Sequence, residues 1–481
     1  MLILLTLFIP LVVGVVALAV PWRPWVGWLS ALSSSAVLTL GIALCVKTTS
    51  GAVVLALRAT YRADALSAFM VVIIGTVSVL ATLQTSRVLA HETSPRHAST
   101  YVALMQAFIT CMLSAVLTAN LGILWVSIEA TTIATTFLVS HHRTRKAYEA
   151  SWKYVILCSV GIALAFLGTV LIYFAALHVG VTSNAPASLN WISLMKVAPH
   201  LNHGVIRFAI ALLVLGYGTK VGFAPMHSWL ADAHGQSPAP VSALMSGVLL
   251  AVAFYALLRC KAIADAALGP AFPKALFVVV GLLSLIVAAS LLIAQHDYKR
   301  MLAYSSVEHM GLLALGAAAG SPLAIAAVLL HMLGHGLTKS VLFLSAGEIS
   351  LAEGTTEIAG VKSLLARRPV LGALFGWGLL ALVGFPPFSI FLSEFAMARA
   401  EIDQGLWWAV AISLICLSVI FASLSTHARH MLFGDGHRES SRTTAGVAVP
   451  LVGALGVCVV VGVSSWPLLS LLHAAAHVVA P

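Results

Sequence analysis

ALLVLGYGTKVGFAPMHSWLADAHGQSPAPVSALMSGVLLAVAFYALLR, residues Ala211–Arg259, is the stretch on which the reading of this chain turns. It sets one lysine, Lys220, inside an apolar helix, interrupts that helix at Pro225, and passes through a short polar segment with His227, Asp232 and His234 before a second apolar run. A charge and a broken backbone ladder are both costly at membrane depth, and they are met where a helix lines a cavity or an ion path. The rest of the chain is therefore expected to supply partners for Lys220.

The surrounding composition fixes the class. With 481 residues, 60% of them hydrophobic and 9% charged, and a mean hydropathy of +1.02, the chain has too little polar surface for a soluble fold of its size. It reads as an all-α polytopic membrane protein. The net charge of +10 comes from single Lys and Arg residues between apolar runs, without basic clusters interleaved with aromatics, so positive-inside orientation accounts for it and nucleic acid does not. The six cysteines (Cys45, Cys111, Cys158, Cys260, Cys416, Cys458) lie far apart without metal or redox spacing. The first twenty residues lack a basic start and a small-residue cleavage site, and read as a first transmembrane helix rather than a signal peptide.

At about 20 apolar residues per crossing, about fourteen spans are expected. They include crossings near 120–139, 154–178, 205–224, 240–258, 301–319, 322–346 and 370–396. An even count puts both termini on one side. If that side is external, fifteen Lys/Arg fall in cytoplasmic loops and nine, Arg259 among them, in external loops. The polar intervals Lys47–Asp64, Gly180–His203 and Arg429–Thr444 are too short to fold alone, GDGHRESSRTT at Gly434–Thr444 reads as a linker, and the chain ends at Pro481 just past its last span. A second helix break at Gly384-Phe-Pro-Pro-Phe388, through Pro386 and Pro387, echoes the one at Pro225, and each has an intramembrane charge nearby, Glu394 and Lys220.

Glu129, about ten residues from either end of its span, is expected near the midplane as a proton-exchanging partner of Lys220 or as half of a structural ion pair. Lys220 can serve as a pump element or snorkel to the interface. His331, His335 and Lys339, at i, i+4 and i+8, share a helix face and suit a proton wire or a set of buried structural histidines; two histidines one turn apart cannot ligate both faces of a haem. Glu394 reads as a terminal exchange group or a surface partner of Arg399, and Glu308 and His309 as lining an access path or facing water.

The runs GTKVGFAPMHSWLADAHGQSPAPVSALM, QHDYKRMLAYSSVEHMG and HMLGHGLTKSVLFLSAGEI resemble those of the proton-translocating antiporter-like membrane subunits of complex I, multisubunit sodium/proton antiporters and membrane-bound hydrogenases. VEHMG, TKSVLFLSAGEI and GFPPFSIFLSEF look most like the hydrogenase-4 component F branch. The resemblance implies two inverted five-helix repeats, residues 101–260 and 270–428, after a three-helix segment 1–100 and before a C-terminal loop and helix 429–481. It implies that Glu129, Lys220, His331, His335, Lys339 and Glu394 carry protons. The family often has a Lys or His in the eighth span, where this chain has Ala251, so His227, His234 or water would have to bridge.

The function expected is a non-catalytic, proton-translocating subunit of a redox-driven complex, in the cell inner membrane with both termini external. Its partners would be other membrane subunits, the lipid bilayer and a peripheral redox arm such as a nickel-iron hydrogenase. It has no cofactor or metal motif of its own. The alternatives are a redox-independent cation/proton antiporter or inorganic-carbon uptake subunit, and a haem- or quinone-binding oxidoreductase chain.

Overall fold

Short polar side chains placed just ahead of apolar runs start several of the helices. In a computed structural model that describes residues 1–183, 189–434 and 443–480, Asp64 caps the helix Ala65–Val88 through Ser67 N–H, Asn120 caps Leu121–Val139 through Gly122 and Ile123, and Asn202 caps His203–Val221 through Val205. Asp297 and Ser321 do the same for Tyr298–Ala319 and Pro322–Glu353. Among the described residues twenty α-helices follow one another: α1 (Leu2–Ala19), α2 (Pro24–Thr48), α3 (Ala65–Val88), α4 (Pro95–Leu117), α5 (Leu121–Val139), α6 (Arg145–Ser183), α7 (Trp191–Val197), α8 (His203–Val221), α9 (Ser228–Gln236) and α10 (Ala239–Leu244). A π-helical turn, Met245–Leu249, runs into α11 (Leu250–Leu268). Then come α12 (Ala271–Ile293), α13 (Tyr298–Ala319), α14 (Pro322–Glu353), α15 (Leu364–Arg367), α16 (Pro369–Leu382), α17 (Ser389–Asp403), α18 (Trp407–Leu432), α19 (Ala445–Val463) and α20 (Trp466–Ala476). A two-stranded hairpin, β1 (Val54–Ala56) and β2 (Tyr61–Ala63), occupies the interval before α3.

Twelve helices among the described residues, not fourteen, are long and apolar enough to cross a membrane. The other two expected crossings are α13, whose middle carries Ser305, Ser306, Glu308 and His309, and the pair α16 and α17, which the break splits into helices of 14 and 15 residues. α6 begins nine residues earlier than expected, at Arg145, and the eighth crossing continues ten residues further, to Leu268. The expected linker at Gly434–Thr444 lies largely outside the described residues.

Burial is graded. The α10–α11 run and α14 are wholly buried along their most apolar stretch, whereas α1, α18 and α19 show large apolar side chains such as Phe8, Ile415 and Val460 on the outside. An apolar exterior suits lipid, and a buried centre is where ionisable groups can be partnered. Helices approach closely where side chains are small. Gly216 of α8 lies against the Ala165 backbone of α6, Gly161 of α6 against Thr219, and Gly247 and Gly336 face each other between the π-helical turn and α14.

Arg259, expected in an external loop, is buried in the middle of α11. Its Nη2 donates to both carboxylate oxygens of Asp64 at 2.8 Å, its Nε donates to Tyr255 Oη at 3.1 Å, and its guanidinium lies 4.2 Å from the Trp191 ring centre. Tyr255 Oη in turn donates to the Val116 carbonyl at 2.9 Å, so the cluster ties α3, α4, α7 and α11 together. Asn at position 64 can still cap α3 but leaves Arg259 buried without its counter-charge, a change that costs about 3–5 kcal/mol in other proteins. Asp64→Asn should therefore lower the thermal midpoint of the purified protein markedly, and the double variant Asp64→Asn/Arg259→Met should recover part of that loss.

Candidate functional site

Both helix breaks are glycine-capped. Gly222 after α8 (φ 87°) and Gly384 after α16 (φ 68°) adopt the left-handed conformation that glycine allows without strain, and Pro225, Pro386 and Pro387 follow within the non-helical segments. Lys220 sits in the last turn of α8, just before the first break, and is fully buried. Its Nζ donates to Tyr154 Oη of α6 at 2.7 Å and lies 4.7 Å from that ring centre; Tyr154 Oη is 2.6 Å from Thr135 Oγ1 of α5. Glu129, half-buried on α5, accepts from Thr132 Oγ1 at 3.2 Å and from Ser159 Oγ of α6 at 3.1 Å. Glu129 and Lys220 thus make no direct ion pair: α6 stands between them, meeting the lysine with Tyr154 and the carboxylate with Ser159.

The polar segment after the break divides by depth. Asp232 faces the surface and pairs with Lys153 at 3.1 Å and Arg300 at 3.2 Å. His227 is half-buried. His234 is fully buried, stacks on Phe343 of α14 with ring centres 5.0 Å apart, and has no hydrogen-bond partner at either ring nitrogen. It reaches the second half of the molecule from the side, in place of a titratable group on the eighth crossing. Ala251 there is packed in the core, and the nearest polar contact from that crossing is Ser246 Oγ to Ser306 Oγ at 2.8 Å.

His331, His335 and Lys339 are all fully buried on α14 and face α13. Lys339 Nζ donates to Ser305 Oγ at 2.5 Å and to the Leu302 carbonyl at 2.7 Å. His309 Nδ1 lies 3.0 Å from His331 Nε2, and His331 Nδ1 lies 2.9 Å from Ser393 Oγ of α17, which itself donates to the Ile390 carbonyl at 2.8 Å. Because the Ser393 hydroxyl proton is already committed, Ser393 accepts from His331 Nδ1–H, and a neutral His331 then accepts from His309 Nδ1–H. The hydrogen bonds run one way, from α13 through α14 to α17. The His335 ring centre is 5.1 Å from that of His309.

Glu394, one residue beyond Ser393, packs its carboxylate against Gly384 at the second break and lines a cavity of about 280 Å³ that also holds Glu401. Arg399 is exposed and forms no ion pair with it among the described residues. Glu308 and His309 are buried rather than facing water. The signal for His309 was its place four residues after Ser305, on the face that α13 turns to α14. Glu308 Oε2, His309 Nε2 and both nitrogens of His335 and His234 lack protein partners. Such buried polar atoms are almost always satisfied, and water can reach hydrogen-bond distance of several at once.

At one end of the bundle, three residues past His234, Ser237 and Lys299 line a cavity of about 290 Å³ together with Glu92, His141, His142 and Glu348. Lys299 Nζ donates to the Ser237 carbonyl at 2.8 Å. His141, in the connection between α5 and α6, is pushed down to about 4 by burial, with the His97 and His142 rings adding to it, so it stands neutral beside Glu92 at pH 7. Among the described residues, two groups bring nitrogen and carboxylate donors close enough to share an ion: Glu92, His97 and His141 at this end, and His309, His331 and Glu394 in the interior.

Residues 118–420, which contain every group named from Glu129 to Glu394, match the family described as NADH:quinone oxidoreductase/Mrp antiporter, TM. The chain belongs to this family. It is similar to a hydrogenase-4 component F homolog of Methylacidiphilum infernorum, with 36% identity over 79% of this chain and 80% of the relative. It is also similar to the NADH-quinone oxidoreductase subunit N of Desulforudis audaxviator (32%, over 67% of this chain) and to hydrogenase-4 component B of Escherichia coli (30%, over 86%), spanning 62% and 64% of their lengths. In fold it superposes on a chain of the archaeal membrane-bound sulfane sulfur reductase, with a TM-score of 0.89 at 23% identity covering all of this chain and 97% of the other. A chain of the Mrp complex from Dietzia sp. gives 0.87 at 21%, covering 99% and 97%.

In an experimental density map at high resolution, ordered water is expected between His234, His335 and Glu308. A dry, close-packed interior around these three side chains would contradict the hydrated reading.

Proposed function

We propose that the chain is a proton-translocating membrane subunit of a redox-driven complex of the hydrogenase-4 or complex I kind, and that it performs no redox chemistry itself. The observation that carries this reading is the succession of titratable groups through the bundle: half-buried Glu129, then the buried, Tyr154-bound Lys220, His234, His335, Lys339, His309 and His331, ending beside Glu394. Lys220 and Lys339 are each held by neutral oxygens. Either can therefore lose its proton without breaking an ion pair, and recover it when a carboxylate or a water chain shifts nearby. Family membership and the similarity to subunits of hydrogenase-4 and of NADH-quinone oxidoreductase support the redox-driven setting.

In this reading electron transfer in a peripheral arm, such as a nickel-iron hydrogenase, changes the charge at one end of the membrane arm. Lys220 then passes its proton by way of His234 and water to the His335, His309 and His331 group, and Glu394 exchanges it with the far side. Residues 101–260 and 270–428 act as two inverted repeats that meet at the α10–α14 contact. The chain lies in the cell inner membrane with both termini external, and the basic residues at the α3–α4 and α5–α6 junctions, Arg87, Arg96, Arg143 and Arg145, face the cytoplasm.

The test uses the whole complex in proteoliposomes, with a pH-sensitive dye and a matched measurement of electron transfer. Lys220→Met and His331→Asn are expected to cut proton uptake per electron to below a tenth while assembly persists. Unchanged uptake in both variants would place the route elsewhere.

A further inference from the structure

Two connections, α3–α4 and α5–α6, converge where Glu92, His97 and His141 meet. Glu92 follows the short turn after α3, His97 lies in the first turn of α4, and His141 sits between α5 and α6. Glu92 Oε2 is 2.9 Å from His97 Nδ1 and 3.7 Å from His141 Nε2, and all three donor atoms lie within 4.8 Å of one another. The other oxygen, Oε1, accepts the Ser94 backbone N–H at 3.2 Å, which fixes the carboxylate with Oε2 turned to the imidazoles.

A helix start does not require this arrangement. Ser94 already caps α4 through the His97 N–H, and Pro95 occupies the first turn. Next to the cluster, Tyr101 is 1% exposed, packs its ring 4.8 Å from that of His141, and has no protein partner for its hydroxyl. A buried hydroxyl without a protein partner among the described residues, on a ring that packs against one of the two imidazoles, is a group that an ion-bound water would satisfy.

We propose that Glu92, His97 and His141 form a site for one divalent first-row transition ion of the zinc class. Two imidazole nitrogens and a carboxylate oxygen suit zinc, whereas calcium and magnesium favour all-oxygen sets. Bonds of about 2.1 Å at tetrahedral angles separate donors by about 3.4 Å, and the distances from Glu92 Oε2 to His97 Nδ1 and His141 Nε2, 2.9 and 3.7 Å, lie on either side of that. The His97 and His141 rings now stack, 4.4 Å apart at 19°, so their in-plane lone pairs do not converge. Binding involves a turn of the His97 ring, the more exposed of the two, about its Cβ–Cγ bond. Water completes the coordination, with the Ser94 N–H orienting the carboxylate from behind.

Glu92 and His141 also line the cavity that holds Ser237 and Lys299, three and more residues from His234. A bound cation there opposes proton arrival at that cavity. This consequence rests on the proton-route reading; the site itself does not.

The experiment is a zinc titration of the purified, chelator-stripped complex against a chromophoric zinc indicator, with cobalt absorption in the visible reporting the ligand number. The wild type is expected to bind one ion per chain that His97→Ala/His141→Ala loses, with affinity falling by more than the about 100-fold that outer-shell changes reach. Glu92→Gln, which keeps a hydrogen-bonding group in place, should weaken binding in the same sense. Lys220→Met and His331→Asn should bind as the wild type does, whether or not they translocate protons. Equal affinity in the double histidine variant, loss of binding in His331→Asn, or a wild type that takes up no added zinc would overturn the proposal.

Discussion

Removing a charge from water inside an apolar bundle costs several kcal/mol, and the way this chain meets that cost differs between its ends and its centre. At the ends, charges are neutralised by opposite charges: Arg259 with Asp64, Arg87 with Glu348, Asp232 with Lys153 and Arg300. In the centre, Lys220 and Lys339 meet a phenol, a serine hydroxyl and a carbonyl. A carboxylate partner would hold a lysine charged; a neutral oxygen satisfies either protonation state. The permanent pairs brace the bundle, and the neutral contacts leave its axis free to titrate.

Direction comes from hydrogen-bond bookkeeping rather than from charge. Ser393 spends its proton on Ile390, which forces His331 to donate at Nδ1 and accept at Nε2, and orients His309 in turn. For a proton to advance, each ring must give up one proton and take another on its opposite nitrogen, a property of imidazole that no other side chain shares near neutral pH. Gly247 of the π-helical turn packs against Gly336 of α14, and the neighbouring Ser246 bonds Ser306 of α13 next to these histidines.

Much of this was legible without coordinates because it is local. Composition alone established a polytopic helical protein, proline and glycine marked both breaks, and the spacing of His331, His335 and Lys339 put them on one face. What escaped was tertiary. His309 matters because α13 faces α14, and Glu129 misses Lys220 because Tyr154 and Ser159, five residues apart on α6, intervene. Arg259 was assigned to a loop because α11 runs beyond its apolar stretch, held by an aspartate 195 residues away. The Glu92, His97 and His141 cluster joins the α3–α4 and α5–α6 connections, and His141 lies 44 residues beyond His97, too far for a linear motif to reveal.

The central claim is that buried imidazoles on α13 and α14 change protonation during turnover. Infrared difference spectroscopy of the complex with isotope-labelled histidine, between resting and reducing conditions, reads this directly. Histidine ring bands should appear in the wild type and vanish in His331→Asn. Proton uptake at full rate with no histidine signal would contradict the account.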